Sequence, residues 1–204
     1  MKQQMVEHQQ LSERQIQIIE EAIKLIAEEG IVNFTTKKLA QAVKVSEPAI
    51  YRHFKNKEAI IFGLIKYVNE KTQEIFNSLD YVKNKSSIEI LELKSLSLMQ
   101  FFYKNICCAK TSANPGMFFP KRDILKEINN LESRIFENMK VTVKRGQKEG
   151  DIKSGVDSGY LVKIIMGSHL YTIHKWSTSD VKYDLVSEWM KTWEVIKMLM
   201  MVEK

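Results

Sequence analysis

Two closely spaced helix-start signals constrain this chain more than any other feature of its sequence. In each, a hydroxyl residue that can cap a helix is flanked by apolar residues five positions apart: Phe34-Thr35 leading to Leu39, and Val45-Ser46 leading to Ile50. They predict short helices over about 36–43 and 47–53, separated by Lys44-Val45-Ser46. Two short helices joined by about three residues form a helix-turn-helix.

The same stretch carries most of the positive charge. The chain of 204 residues has a formal net charge of +6, and six cations between Thr35 and Lys57 are opposed by one anion, Glu47. A local basic patch on a helix-turn-helix is typical of a surface that binds the phosphates of nucleic acid. A charged, solvated helix face with no partner is the alternative reading of such a run.

The residues from Phe34 to Glu58, FTTKKLAQAVKVSEPAIYRHFKNKE, closely resemble the DNA-binding motif of the TetR family of bacterial regulators. The resemblance extends over about residues 12–65, and beyond it only the architecture is similar. It implies an all-α fold of about nine helices, with a three-helix DNA-binding domain at residues 1–57 and an effector-binding and dimerisation domain at 58–204. The chain departs from the family at Lys44, where glycine is usual in the turn.

The helix-turn-helix also indicates which side chains face DNA. Ile50 and Phe54 lie four residues apart and are expected to point into the core, with Leu39, Ala40 and Val43. Tyr51 can donate a hydrogen bond to phosphate, and Arg52 can bind guanine or phosphate. Thr36, Lys37 and Lys57 open helices whose first N–H groups favour anions. With the positions that the family resemblance adds, the expected DNA contacts are Thr36, Lys37, Glu47, Pro48, Ala49, Tyr51, Arg52, His53 and Lys57.

Helical spacing and cap residues predict the other elements. Ser12 and Gln15 form a capping box at the start of the first helix, and Gly30 suits the left-handed residue after its end. Asn56 can cap a long helix near 57–80. Further helices are expected over about 87–109, 122–149, 157–176 and 183–202.

An apolar ligand cavity in the larger domain is suggested by the ten methionines, because methionine adapts its shape easily. The family resemblance places such a cavity among helices 4 to 8. Ordinary core packing is the alternative for any one of these residues. The candidate lining residues are Met99, Phe102, Tyr103, Met117, Phe118, Met139, Met166 and His169.

The last two helices carry an apolar stripe that predicts a homodimer interface built from two helices of each subunit. Packing within one subunit is the alternative. The candidate interface residues are Leu161, Ile165, Leu185, Trp189, Trp193 and Ile196.

These features favour a DNA-binding transcriptional regulator, expected to be a repressor released from a pseudo-palindromic double-stranded DNA operator by a small, largely apolar molecule. No nucleophile–base pair, phosphate-binding loop or metal-ligand spacing is evident, so neither an enzyme nor a cofactor or metal site is expected. No run of about 18 apolar residues or signal peptide is found, so a cytoplasmic protein without membrane contact is expected. Control by a protein partner, or by oxidation of Cys107 and Cys108, remains an alternative.

Overall fold

The computed structural model describes residues 11–80, 82–113, 115–118, 121–181 and 183–202, with the backbone alone for 117 and 118. The regular elements along these residues are helices: α1 (Glu13–Glu29), α2 (Thr36–Val43), α3 (Glu47–Tyr51), α4 (Lys57–Asp80), α5 (Ser87–Lys104), α6 (Ile106–Ala113), α7 (Pro115–Phe118), α8 (Arg122–Glu149), α9 (Ser158–Thr178) and α10 (Leu185–Met200). One isolated antiparallel bridge joins Ile152 to Met201. The predicted all-α fold is confirmed.

Helix α1 begins and ends close to the residues that the sequence indicated. Ser12 Oγ accepts a hydrogen bond from the Gln15 amide at 3.3 Å, and Gln15 Oε1 accepts one from the Ser12 amide at 3.0 Å. Gly30 follows the helix with φ 80° and ψ 159°, a conformation essentially restricted to glycine, rather than in the left-handed helical region that was expected.

Helix α4 connects the N-terminal helices to the rest of the protein. Asn56 Oδ1 accepts a hydrogen bond from the Ala59 amide at 2.8 Å, as expected of its cap. The helix packs against α1 on one side and against α5 and α8 on the other. A Cβ atom built on Gly63 would lie 3.0 Å from both Ile19 Cδ1 and Phe54 Cε1, so α4 approaches α1 and the residues after α3 very closely. The buried apolar side chains from α1 to α10 therefore form one continuous core.

The predicted helix over 87–109 is wrong in its extent. The chain leaves the helical conformation at Asn105, which has φ −124° and ψ 65°, and α6 starts at the next residue. The Asn105 side chain donates to the carbonyl of Phe101 at 2.8 Å. A local side-chain bond of this kind competes with continuation of a helix, and here it accompanies a change of direction that lets α6 pack against α1 and α9.

A buried polar cluster fixes the carboxyl end of α4. Lys94 of α5 is fully buried, and its ammonium donates to Asp80 Oδ1 at 2.5 Å, Asn138 Oδ1 at 2.7 Å and Thr142 Oγ1 at 2.9 Å. Burial lowers the pKa of Lys94, and the Asp80 carboxylate opposes this shift. The cluster thus joins the last residue of α4 to α5 and α8.

None of the helices in the described part of the chain is long and apolar enough to cross a membrane.

Candidate nucleic-acid interface and ligand cavity

Helices α2 and α3 are joined by the predicted three-residue turn. Lys44 adopts the left-handed conformation, with φ 58° and ψ 47°, and its amide donates to the carbonyls of Ala40 and Gln41. The Val45 amide also donates to the Ala40 carbonyl, at 2.9 Å. Ser46 occupies the N-cap position of α3, but its side chain makes no cap hydrogen bond, in contrast to the expectation from sequence. The turn therefore depends on a lysine in a conformation that glycine adopts more easily.

One face of helix α3 packs against the core, and the opposite face is exposed to solvent. Ile50 and Phe54 are buried together with Leu39 and Ala40 of α2, and Val43 is half-buried. Pro48, Tyr51, Arg52 and His53 are exposed, whereas Glu47 and Ala49 are half-buried. The outer face that the sequence predicted is thus the accessible face of α3. A short helix of this kind fits the major groove of DNA.

Three of the predicted DNA-contact residues bond to each other. The buried Thr36 hydroxyl donates to the Glu47 carboxylate and lies 3.1 Å from the Tyr51 hydroxyl. Because Thr36 has one hydroxyl proton and gives it to Glu47, Tyr51 must donate the second bond. This cluster fixes the first turn of α2 against α3. A phosphate that accepts from Tyr51 would have to replace its bond to Thr36.

The Lys57 ammonium makes hydrogen bonds within the protein, so only part of its donor capacity is free for DNA. Its ammonium donates to the carbonyl of Phe34 at 2.6 Å and to that of Ile31 at 3.1 Å, and it lies 5.3 Å from the centre of the Phe34 ring. Burial lowers its pKa. Two of its three N–H donors thus hold the loop between α1 and α2 against the start of α4, and one donor remains.

Four cations on this surface have no ion pair or side-chain hydrogen bond among the described residues, and all four are exposed: Lys37, Lys44, Arg52 and Lys55. Lys38, in contrast, pairs with Glu29. Lys44 and Lys55 were not among the expected DNA contacts, although counting charges along the motif would have included them. The free cations lie in and beside the turn and α3, where they can bind phosphates without breaking an internal bond.

A largely apolar cavity of about 300 Å³ lies between α4, α5, α6, α8 and α9, with Pro115 at the start of α7 also in its lining. Side chains of Leu64, Val68, Leu98, Leu131 and Ile173 are among those that line it. Polar groups in the lining come from threonines and a serine, and from Glu132 and His169. Burial lowers the pKa of His169 to about 3 and raises that of Glu132. The imidazole is therefore uncharged near neutral pH.

Comparison with known proteins identifies the N-terminal part of the chain. Residues 18–64, which include the helix-turn-helix, match the family model for bacterial regulatory proteins of the tetR family. These residues are a TetR-family domain. The chain is also 26% identical over 186 residues to the nucleoid occlusion factor SlmA of Vibrio cholerae, covering 87% of this chain and 92% of the relative.

Two further comparisons concern regulators of fatty acid metabolism. The chain is 26% identical over 177 residues to the fatty acid metabolism regulator protein of Bacillus subtilis, covering 84% of this chain and 88% of that protein. The crystal structure of the transcriptional regulator FadR from B. subtilis, in complex with stearoyl-CoA, superposes with a TM-score of 0.77 at 25% identity over 89% of this chain and 96% of that one. The resemblance thus extends from the TetR-family domain through the helices that form the cavity.

The cavity outside the TetR-family domain includes only some of the side chains proposed from sequence. Phe102, Met166 and His169 line it. Met99 and Met139 are fully buried in the core and do not line it, and Tyr103 is half exposed, with its ring 5.8 Å from that of Trp176. The side chains of Met117 and Phe118 lie outside the described residues. The aliphatic lining from α4 and α8 was not anticipated, because helical spacing alone does not distinguish a cavity wall from packed core.

The apolar stripe chosen from sequence as a dimer surface is buried within the chain, and this interpretation is corrected. The six side chains are at most 5% exposed: Leu161, Ile165, Leu185, Trp189, Trp193 and Ile196. Trp193, for example, donates to Glu92 of α5 at 2.8 Å. The exposed apolar side chains of α9 and α10 lie at other positions, including Tyr160, Ile164, Tyr171, Val195, Met198 and Leu199. The sequence interpretation therefore assigned the inward face of these two helices to the dimer interface.

Proposed function

We propose that this protein is a transcriptional regulator that binds a pseudo-palindromic operator as a homodimer and is released when a small apolar molecule fills its cavity. The observation that carries the proposal is the preformed, anchored α3, whose outer face presents Arg52 and Tyr51 beside unpaired lysines. Arg52 is the proposed base or phosphate contact. Tyr51 is a proposed contact to the DNA backbone, which it makes by exchanging its hydrogen bond to Thr36 for one to a phosphate oxygen.

The proposed dimer forms through the exposed apolar sides of α9 and α10. Tyr160, Ile164, Gly167 and Tyr171 recur at helical spacing on α9, and a Cβ atom on Gly167 would meet nothing within 4 Å. A second copy can therefore approach closely there. A twofold arrangement of this kind sets two recognition helices about 34 Å apart, or a multiple of that distance, which is the spacing of half-sites on one face of DNA.

Helix α4 is the proposed link between ligand and DNA. Lys57 and Gly63 contact the N-terminal helices and the residues around them, whereas Leu64, Val68 and Thr72 line the cavity. We propose a functional boundary near residue 57, although the core is continuous across it. A ligand that displaces α4 changes the spacing of the two heads, and typical coupling energies of about 1–3 kcal/mol suffice to weaken operator binding 5- to 150-fold, roughly.

Selection of bound sequences from random DNA duplexes at physiological salt tests the proposal. We expect enrichment of one inverted repeat, which then serves as the probe for variants. Arg52→Ala should weaken binding by about 1–3 kcal/mol, whereas Arg134→Ala, an exposed arginine on α8, should leave affinity unchanged. Weak, salt-sensitive binding with no enriched sequence, or equal affinities for both variants, would contradict the assigned recognition helix.

A second candidate is a DNA-binding factor that is controlled by a protein partner instead of a small ligand; one relative of the chain, SlmA, is described as a nucleoid occlusion factor and not as a regulator of metabolism. A protein-free extract of small molecules separates the two: release of the operator supports ligand control, and no release supports the alternative.

Thiol oxidation is the weaker candidate. Burial raises the pKa of Cys107 and raises that of Cys108 to about 12, so both thiols stay protonated and unreactive near neutral pH.

A further inference from the structure

Glu47 is the single anion in the basic stretch between Thr35 and Lys57. It opens α3, and among residues 47–50 it has the only polar side chain. The first residues of a recognition helix are those that face base edges in the major groove. No ion pair joins Glu47 to a lysine or arginine of the described residues, so its carboxylate does not serve to neutralise the cations around it.

The carboxylate of Glu47 is held by one oxygen and offers the other. The hydroxyl of the buried Thr36 donates to Oε1, whereas Oε2 has no hydrogen-bond partner among the described residues. The side chain is half-buried, so the protein does not enclose it. When Tyr51 exchanges its bond for one to a phosphate, the bond from Thr36 to Glu47 can persist, because Tyr51 contacts Thr36 and not Glu47. Glu47 therefore presents an acceptor that is already oriented, which reduces the entropy lost on binding.

A carboxylate at this position is restricted in what it can contact on DNA. Carboxylate and phosphate oxygens are both acceptors of negative charge, so Glu47 can form a hydrogen bond to a base but not to the backbone. The donors of the major groove are the amino groups of cytosine and adenine. The adenine amino group lies between two acceptors, its own N7 and thymine O4, whereas the cytosine amino group has one such neighbour, guanine O6. Repulsion of the carboxylate is therefore weaker at cytosine.

We propose that Glu47 is a specificity-determining residue, whose free oxygen accepts a hydrogen bond from the N4 amino group of a cytosine in each operator half-site, and that Thr36 positions it. This inference rests on the proposed operator-binding regulator and names a base that its site contains. A role within the protein alone is the competing explanation, because the same bond joins α2 to α3. The two roles differ in their effect on DNA binding: loss of a structural bond weakens binding to every sequence alike, whereas loss of a base contact removes the preference at one position.

Parallel selection of bound sequences from random duplexes, with the full-length native protein and its variants, tests the proposal. In affinity measurements on the selected site, we expect the native protein to prefer cytosine at one position of each half-site by about fivefold or more. Glu47→Ala should bind all four bases there with similar affinity. Glu47→Gln keeps an acceptor for Thr36 and gains an amide donor, so its preference should move towards adenine, whose N6 and N7 match an amide. Glu137→Gln removes the same charge from an exposed position of α8 and should retain the preference for cytosine.

A base analogue assigns the contact to the amino group itself. 2-Pyrimidinone in place of the preferred cytosine lacks the N4 amino group and should weaken binding of the native protein about fivefold more than binding of Glu47→Ala. The two losses are then not additive, as expected of groups in direct contact. Equal weakening in both proteins overturns the proposed hydrogen bond.

Substitution of Thr36 tests the positioning role. Thr36→Val removes the hydroxyl at nearly constant size and should reduce the preference for cytosine, whereas Thr36→Ser keeps a hydroxyl and should retain it. Tyr51→Phe removes the bond to the other side of Thr36 and should weaken binding to all sequences alike, with the base preference unchanged. A native preference in Thr36→Val overturns the positioning by Thr36.

The selection experiment also distinguishes failure of this inference from failure of the proposed function. Enrichment of no inverted repeat overturns the proposed regulator and this inference together. An enriched repeat whose base preferences are the same in the native protein and in Glu47→Ala leaves the regulator standing and overturns the role of Glu47.

Discussion

Replacing Lys44 with glycine should make the protein more stable, although it removes a complete side chain. Lys44 is exposed and lies in the left-handed region with φ 58°, so little packing is lost. This conformation costs a residue with a Cβ atom about 1–2 kcal/mol relative to glycine. Glycine loses more backbone entropy on folding, which reduces this stabilisation by about 0.5–1 kcal/mol. The net gain should be about 0.5–1 kcal/mol.

Thermal unfolding followed by circular dichroism measures this gain. For a chain of 204 residues, the expected rise in Tm is about 1–4 °C. Lys44→Ala is the matched control, because it removes the same charge and most of the side chain but keeps the Cβ atom. It should show no comparable gain.

The same two variants report on DNA binding. Both remove a cation beside α3, so both should lower the salt dependence of operator affinity, by about 0.9 in the slope of log K against log salt if Lys44 neutralises one phosphate. A glycine variant no more stable than the alanine variant would refute the argument from backbone strain. An unchanged salt slope would remove Lys44 from the DNA contacts.

Three other predictions follow from buried or exposed groups. Asp80→Ala leaves the buried Lys94 ammonium without its carboxylate and should lower the free energy of unfolding, measured by chemical denaturation, by about 3–5 kcal/mol. Lys94→Met should lower it less, because the partly exposed Asp80 that remains stays hydrated. Equal losses in the two variants would contradict this asymmetry. His169 has a folded-state pKa of about 3 against an ordinary value of 6.5, so below pH 6.5 the unfolded state takes up a proton that the folded state does not. The free energy of unfolding should therefore fall as the pH is lowered from 6.5 towards 4. The fall should be steeper in the native protein than in His169→Phe, by about 1.4 kcal/mol per pH unit. The same pH dependence of stability for both proteins in urea unfolding would refute this prediction. Ile164→Glu combined with Leu199→Glu should give a folded monomer in sedimentation experiments, and a persisting dimer would place the interface elsewhere.

The local structure of the N-terminal half followed from sequence because its signals act over a few residues. The Thr35 hydroxyl caps α2 by accepting from the Lys38 amide, and Pro48 stands in the first turn of α3. Each of these signals marks where its helix begins through residues that are close in the sequence. The start of α4 was predicted for the same reason, from Asn56, and the predicted range of α8 agrees with the structure. The inward direction of Ile50 and Phe54 required only the period of a helix.

Tertiary structure alone decided the features that depend on which surfaces meet. Helix α10 has apolar residues on more than one face, so its periodicity did not distinguish the buried side of Trp189 and Trp193 from the exposed side of Val195 and Leu199. The bond between Thr36 and Glu47 joins two helices, and the unpartnered Nε2 atom of His169 is buried where α9 packs against Trp189 of α10. Local propensity is a property of neighbours in the chain, whereas burial, cavities and hydrogen bonds between helices depend on residues far apart in sequence.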